Sequence, residues 1–238
     1  TTPPPMLLTH PIPTSRITDA RQRAHSLPAR NLPPQLSFEL AKSRITSKYE
    51  SDPKYNIKRY QRQLDKKLYV LEEAANYGLA MSYFENKEYS AAQTILEGLL
   101  VADTNNLFYV DVLTDVYIAL EQFERGIKML KKLDLLMPYN QVVTLNYANI
   151  LKSAEHYEKS SQILQDFLLV QPGNFIAYDL LTKIYRKQKK MALMHSSKAE
   201  VLALHGAYSP AIDEFFFIFT VLPGITLYAL PPIAQLSL

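Results

Sequence analysis

Residues 141–174 read QVVTLNYANILKSAEHYEKSSQILQDFLLVQPGN, and the sequence matches itself without gaps when it is shifted by the length of this stretch, 34 residues. The shift superposes aromatic, leucine and proline positions along the second half of the chain. The superposed sets are Tyr83, Tyr117, Leu151 and Tyr185; Tyr89, Phe123, Tyr157 and Met191; Leu96, Leu130 and Leu164; and Pro138 and Pro172. A repeat of this length indicates supersecondary units that stack on one another.

Each repeated position has a physical role in a unit of two antiparallel helices. Small residues such as Ala80 and Ala148 allow the first helix to approach the second closely, and Pro138 and Pro172 cannot continue the helix that precedes them. Each unit closes on an asparagine that can cap the next helix, at Asn106, Asn140 and Asn174. Because one unit cannot bury its apolar face alone, several must stack. The sequence therefore predicts an all-α solenoid of helical hairpins.

This pattern resembles the tetratricopeptide repeat, whose fold is a superhelix of such hairpins. The fourth unit is irregular, because Met191 and Met194 replace the expected aromatic residue and alanine, and the pattern restarts half a unit early at Gly206. One helix near 192–204 is therefore expected to serve two units. The predicted solenoid covers 73–223, with units at 73–106, 107–140 and 141–174 and an irregular part at 175–223.

The two ends of the chain lie outside the repeat. Residues 1–72 carry a net charge of +7, whereas residues 73–238 carry −4, so a domain junction is expected near residue 72. Helices are predicted at about 35–50 and 55–71. Residues 224–238 form an apolar tail whose prolines and glycine argue against a membrane span, and which lacks the polar face of a normal solenoid cap.

The composition excludes several kinds of catalytic chemistry. The chain has no cysteine, so it forms no disulfide, thiolate nucleophile or cysteine-ligated zinc site. The five histidines include no pair at the spacing of an HExxH zinc helix, and no GxSxG nucleophile elbow occurs. We therefore do not expect the chain to be catalytic by itself.

Two N-terminal stretches carry a second resemblance. Residues 7–24, LLTHPIPTSRITDARQRA, contain Thr9-His10-Pro11 followed by Arg16-Ile17, which resembles the THPxxxxRI element of HExxH metalloproteases. Residues 36–49, LSFELAKSRITSKY, are similar to the helix that follows this element in soluble periplasmic members. Together with the repeats, they resemble the family of β-barrel-assembly-enhancing metalloproteases (BepA/YfgC type) up to about residue 223.

The resemblance implies the C-terminal part of a zinc metalloendopeptidase from the periplasm of a Gram-negative bacterium, associated with outer-membrane assembly and quality control. Residues 1–51 would end the protease domain, 52–72 would be a basic connecting helix, and the HExxH helix with its zinc would lie upstream. His10 would lie near the zinc and Arg16 at the active-site rim. The alternatives are a solvent-exposed loop histidine and an ordinary surface arginine.

The concave face of the solenoid is the predicted partner-binding groove. In tetratricopeptide units the second, fifth, ninth and twelfth positions usually point into this face. A client protein or a component of the assembly machinery would bind there as an extended or helical segment. Phe108 and Ile118 occupy such positions as well, but they also fit the core. The predicted groove residues are Tyr77, Met81, Phe84, Asp111, Asp115, Leu145, Asn149, Lys152, Asp179, Lys183 and Arg186.

Two other functions remain open at this point. One is a stand-alone tetratricopeptide adaptor without enzymatic activity. The other is an RNA-associated helical-repeat protein, because basic residues between 54 and 67 alternate with Tyr55 and Tyr60. A solvated helix face, or contact with the protease domain or an anionic membrane surface, explains the same basic run. The basic residues between 183 and 190 lie at a predicted helix C-terminus, where cations interact favourably with the helix dipole.

Overall fold

The computed structural model describes residues 13–26 and 33–221, and these residues form helices and turns without a strand. The chain divides into two units, residues 1–35 and residues 36–238. In the first unit the described element is helix α1 (Pro13–Ser26), which is exposed from Arg16 onward. The remaining helices belong to the second unit.

The second unit contains eleven helices within its described residues. They are α2 (Leu36–Ile45, continued by one π-helical turn, Thr46–Glu50), α3 (Pro53–Asp65), α4 (Glu72–Glu85), α5 (Tyr89–Ala102), α6 (Leu107–Ala119), α7 (Phe123–Leu136), α8 (Gln141–Ser153), α9 (Tyr157–Val170), α10 (Phe175–Lys187), α11 (Met191–Leu204) and α12 (Tyr208–Val221). From α3 onward each helix packs against the next one along the chain, and α2 packs against α4. The prediction of an all-α tetratricopeptide solenoid is confirmed.

The asparagines that close the units cap the first helices, as the sequence predicted. Asn106 accepts a hydrogen bond from the Phe108 amide at 3.1 Å, before α6. Asn140 accepts from the amides of Val142 and Val143, before α8. Asn174 caps α10 in the same way. Each cap satisfies amides that a helix start leaves unpaired, which stabilises the helix by about 1 kcal/mol.

The turn inside each hairpin places one residue in the left-handed backbone region. In the first unit the amide of Glu88 donates to the Tyr83 carbonyl at 2.9 Å, and Lys87 between them has φ of 64°. This bond closes the helix end in the same way in the later units. The equivalent residues, 34 positions apart, are Glu121, Glu155 and Lys189, with φ of 56°, 62° and 59°. Gly206, at φ of 78°, has this conformation between α11 and α12.

Repeated leucines form the centre of the solenoid. Leu96, Leu130 and Leu164 lie at the same position of α5, α7 and α9 and are fully buried. They belong to two apolar clusters, one around α4 to α8 and one around α8 to α11. Burial of each leucine contributes about 1.5–3 kcal/mol.

The helices before the first repeat pack directly against it. The ring of Tyr60 on α3 lies over Gly78 on α4, where an added Cβ would come within 2.3 Å of the tyrosine Cζ. The hydroxyl of Ser47 donates to the Gly78 carbonyl at 2.9 Å. Helix α3 ends at Asp65, earlier than the predicted 71, because the Leu68 amide turns back to the Gln63 carbonyl. The predicted domain boundaries at 51 and 72 stay predictions.

One helix is shared by the last two hairpins. Helix α11 packs against α10 on one side and α12 on the other. Met194 and Ala199 on α11 are buried, and Met194 belongs to the apolar cluster around α8 to α11. The half-unit shift in the sequence thus corresponds to α11 taking part in both the α10–α11 and the α11–α12 hairpins.

Candidate partner-binding groove

A groove of about 530 Å³ runs along the first helices of the repeats. Its walls come from α6, α8 and α10, and Arg44 of α2 also lines it. Of the groove residues predicted from the sequence, the structure brings seven together here. They are Asp111, Asp115, Leu145, Asn149, Lys152, Asp179 and Lys183.

The structure places the other four predicted groove residues elsewhere. Tyr77 and Met81 are buried in the core. Phe84 is partly buried, with its ring 5.6 Å from the ring of Tyr89. Arg186 is exposed outside the groove. Phe108, which also fitted the core, lines the groove and packs against the main cluster.

Tyr77 is buried on α4, against which both α2 and α6 pack. Its ring packs edge-on against Phe108 at 6.0 Å and against Tyr109 at 5.8 Å. Burial raises the pKa of the Tyr77 hydroxyl far above its usual range. The repeat pattern contains no sign of α2, which lies outside the repeat.

Arg44 reaches past α4 to the carboxylate of Asp111 on α6 and forms an ion pair with it. The other carboxylate oxygen of Asp111 accepts a hydrogen bond from the side-chain amide of Asn146 at 2.8 Å. The guanidinium also lies 6.0 Å from the centre of the Phe108 ring. Sequence reasoning missed Arg44 and Asn146. Asn146 offered one signal, because it lies next to the predicted groove residue Leu145.

Asp115 lies one helical turn beyond Asp111 and makes no hydrogen bond or ion pair with a described residue. Burial raises its pKa to about 6, and the negative charge of Asp111 adds to this effect. Arg44, Lys48 and Lys152 are the cations that partly offset it. Asp115 is therefore a carboxylate that a cation from outside would stabilise.

Lys152 is the matching cation on α8. Its ammonium donates to the Asn149 side-chain oxygen at 2.6 Å, which supplies no counter-charge. Burial lowers the pKa of Lys152, and the nearby charge of Lys183 acts in the same direction. Lys183 itself is paired with Asp179 at 2.6 Å. The groove thus contains two closed ion pairs and two charged groups, Asp115 and Lys152, without direct ion-pair partners among the described residues.

The apolar part of the groove lies between these charges. Leu145, Ile176 and Leu180 line it on α8 and α10. Apolar walls with a few polar groups are typical of surfaces that bind a polypeptide segment, because burial supplies the affinity and the charges fix the orientation.

The metal-site residues predicted from the sequence are not assembled in the described part of the chain. His10 lies outside the described residues. Arg16 is an exposed residue of α1 in the first unit. Within residues 13–26 and 33–221, no three histidine, aspartate or glutamate side chains come together as metal ligands. These described residues therefore do not fit zinc.

Membrane crossing requires a helix that is both long and apolar. None of the helices in the described ranges combines these two properties to the degree that spanning a bilayer needs.

Comparison with curated proteins identifies relatives that share most of this chain. It is 33% identical over 214 residues to the putative beta-barrel assembly-enhancing protease of Vibrio cholerae, a match that covers 90% of this chain and 44% of that protein. It is 30% identical over 211 residues to the beta-barrel assembly-enhancing protease of Escherichia coli, covering 89% and 43%. The chain thus spans less than half the length of these relatives. No family model matches it.

Solved structures support the same fold. A tetratricopeptide-repeat protein of Thermus thermophilus superposes with a TM-score of 0.57 at 15% identity, over 74% of this chain and 98% of that one. One from Parabacteroides merdae gives 0.55 at 13% identity, over 93% and 90%. At these identities the likeness shows the fold alone.

Proposed function

Starting from a chain that is a tetratricopeptide-repeat relative of the beta-barrel assembly-enhancing proteases, we propose that its groove binds a polypeptide segment of a protease client or of the outer-membrane assembly machinery. The chain would then be the recognition part of a periplasmic zinc metalloendopeptidase. Zinc and proteolysis would belong to a region outside this chain, since the chain spans less than half the length of these relatives.

The observation that carries this proposal is a pair of partly buried charges in the groove without direct ion-pair partners among the described residues. Asp115 and Lys152 are partly buried on neighbouring first helices, and their charges interact without direct contact. Partial burial of a charge without a directly bonded counter-charge is unfavourable, so a segment that supplies opposite charges would be stabilised there.

The apolar wall adds affinity to this charge pattern. A segment with an apolar side chain over Leu145 would bury surface worth about 25 cal/mol per Å². A basic side chain would then approach Asp115, and an acidic side chain or a main-chain carbonyl would approach Lys152. Extended and helical segments both present such groups at suitable spacing.

Site-specific crosslinking of the full-length protein tests the proposal. A photoreactive amino acid replaces Leu145 in the groove, and in a control it replaces Leu169, which is exposed on α9. The probes are a purified, urea-denatured outer-membrane β-barrel protein and the purified β-barrel assembly complex. We expect adducts from the groove position and few from the control, because the groove combines an apolar wall with charges that lack a direct ion pair, whereas Leu169 is exposed on the surface.

Charge reversal then separates groove binding from general adhesion. Asp115→Lys or Lys152→Glu should reduce the groove adduct at least tenfold. The matched surface changes Glu124→Lys and Lys128→Glu on α7 should leave it unchanged, because both residues are exposed outside the groove. Equal adducts from groove and control positions, or equal effects of the two sets of variants, would contradict the proposal.

The adaptor hypothesis uses the same groove without a protease. The reading frame before Thr1 distinguishes the two functions. An HExxH motif followed by a helical glutamate supports the protease, whereas an upstream region without them supports the adaptor.

A further inference from the structure

A carboxyl group without a partner lies where α11 packs between its neighbours. Glu200 on α11 is 1% exposed, and both of its side-chain oxygens lack a hydrogen-bond partner among the described residues. A buried carboxylate without a counter-charge or hydrogen bond is strongly unfavourable, so the group favours its neutral form. Burial accordingly raises the pKa of Glu200 to about 7.

The repeat pattern explains why a charged residue type occurs at this buried position. As part of the second helix of its unit, Glu200 corresponds to Gly98, Lys132 and Asp166, which are exposed. As part of the first helix of the final hairpin, it corresponds to Met81, which is buried. The dual role of α11 therefore buries a position that is polar and exposed in two regular units.

The charged groups on the neighbouring helices do not neutralise Glu200. On α10, the titratable neighbour is Tyr178, whose pKa is raised by burial and then by the charge of Glu200. On α12, Glu214 bonds His195 at 2.7 Å and Lys198 at 2.6 Å, which occupies these two basic groups of α11. The other charged residues of α10 and α12, all outside the buried core, are Asp179, Lys183, Arg186, Lys187 and Asp213.

Helix α10 links this carboxyl group to the groove. Its residues Ile176, Asp179 and Leu180 line the groove, and Tyr178 lies among them on the same helix. A change in how α11 packs against α10 would therefore shift one wall of the groove.

We propose that neutral Glu200 holds α11 against α10. Its ionisation would loosen the contact between these two helices, the α10–α11 seam, and change the shape of the groove wall formed by α10. The use of this change for partner binding rests on the proposed function. The change in packing does not rest on the proposed function, so the packing change and its use in partner binding can be tested separately.

The direction of the pH effect follows from linkage. The pKa of Glu200 is about 7 in the folded chain, above the ordinary value of 4.5 for a glutamate side chain. The stabilisation by the neutral form is therefore complete below pH 4.5 and is lost as the pH rises through 7. Between these values the equilibrium constant for opening the seam rises about tenfold per pH unit, and it levels off above pH 7.

Hydrogen exchange of the full-length protein measures this opening. After correction for the intrinsic exchange rate, amides of α10 and α11 should open about 40-fold more at pH 7 than at pH 5. Glu200→Gln should remove most of this rise, because its amide cannot ionise. Glu200→Leu provides a second neutral variant, whose apolar side chain matches the character of Met81 at the equivalent buried position. The matched control Glu124→Gln, at an exposed site of α7, should behave as the unchanged protein.

A single tryptophan reports the groove wall directly. The chain contains no tryptophan, so Ile176→Trp places a unique fluorophore on α10. Its emission should change with a midpoint near pH 7, and this change should disappear when Glu200→Gln is added. An unchanged midpoint in the double variant, or a pH-independent opening of α10 and α11, would overturn the proposal. Neither readout requires a partner, so a failure of the groove proposal leaves this test intact.

Discussion

The regular second helices α7 and α9 and the shared helix α11 have related sequences but different surroundings. At one repeat position α7 and α9 bury Leu130 and Leu164, whereas α11 has Lys198 paired with Glu214. Two residues later the order is reversed, because Asp166 on α9 is exposed and Glu200 on α11 is buried. The comparison shows that a repeat position defines a side chain's direction, while the neighbouring helices decide whether that direction leads to core or solvent.

The largest effect should come from truncating the apolar position of a regular helix. Leu130→Ala should lower the free energy of unfolding by about 2–5 kcal/mol, because it leaves a cavity in the main cluster. Lys198→Ala at the equivalent position of α11 should cost about 1 kcal/mol or less, because it removes a partly exposed ion pair. Urea unfolding followed by circular dichroism measures both. Similar losses would show that the two helices do not differ in this way.

Replacing the buried carboxyl group should have the next largest effect. At pH 8, Glu200→Leu should raise the free energy of unfolding by about 3 kcal/mol, because it removes a group whose pKa is raised by folding. At pH 5 the gain should be smaller, since the neutral carboxyl group is already favoured. Asp166→Leu is the matched control and should give no comparable gain, because that position is exposed. A pH-independent gain would contradict the assignment.

Close packing outside the shared helix can be tested at two glycines. Gly78→Ala should destabilise the chain by about 1–3 kcal/mol, because the added Cβ meets the Tyr60 ring. Gly98→Ala in α5 should stabilise it by up to about 1 kcal/mol, since the site is open and alanine favours helix. Thermal unfolding of the two variants checks the opposite signs. A stable Gly78→Ala variant would mean that α3 and α4 are less tightly packed.

The smallest effect concerns helix caps. Asn140→Ala should cost about 1 kcal/mol, because its side chain accepts hydrogen bonds from two amides of α8. Lys190→Ala, before α11, should cost less, since Lys190 makes no side-chain cap. Hydrogen exchange at the first turns of α8 and α11 would detect the difference. Equal fraying would show that the asparagine caps contribute little.

Most of the solenoid could be predicted because its signals are local. The period of 34 residues located the hairpins, and the asparagines marked the starts of α6, α8 and α10. These features depend on residues within one or two turns of each other. They required no knowledge of which helices meet in space.

The parts that escaped prediction depend on contacts distant in sequence. The pair of Arg44 and Asp111 joins residues 67 positions apart, and Tyr77 is buried against Phe108 and Tyr109 of the next first helix. Seven of the eleven predicted groove residues line one cavity because their position in the first helix is repeated. Whether they bind a partner remains a prediction.

The hairpin turns leave room for greater heat resistance. Of the six described residues with side chains in a left-handed backbone conformation, four lie in these turns, and L-residues adopt this conformation at a cost of about 1–2 kcal/mol each. Glycine avoids that cost, but it loses more conformational freedom on folding. Each replacement should therefore raise the free energy of unfolding by only a fraction of the cost avoided. The turns are separated by whole units, so the gains should add. A chain with glycine at 87, 121, 155 and 189 should therefore melt several degrees higher without any new contact.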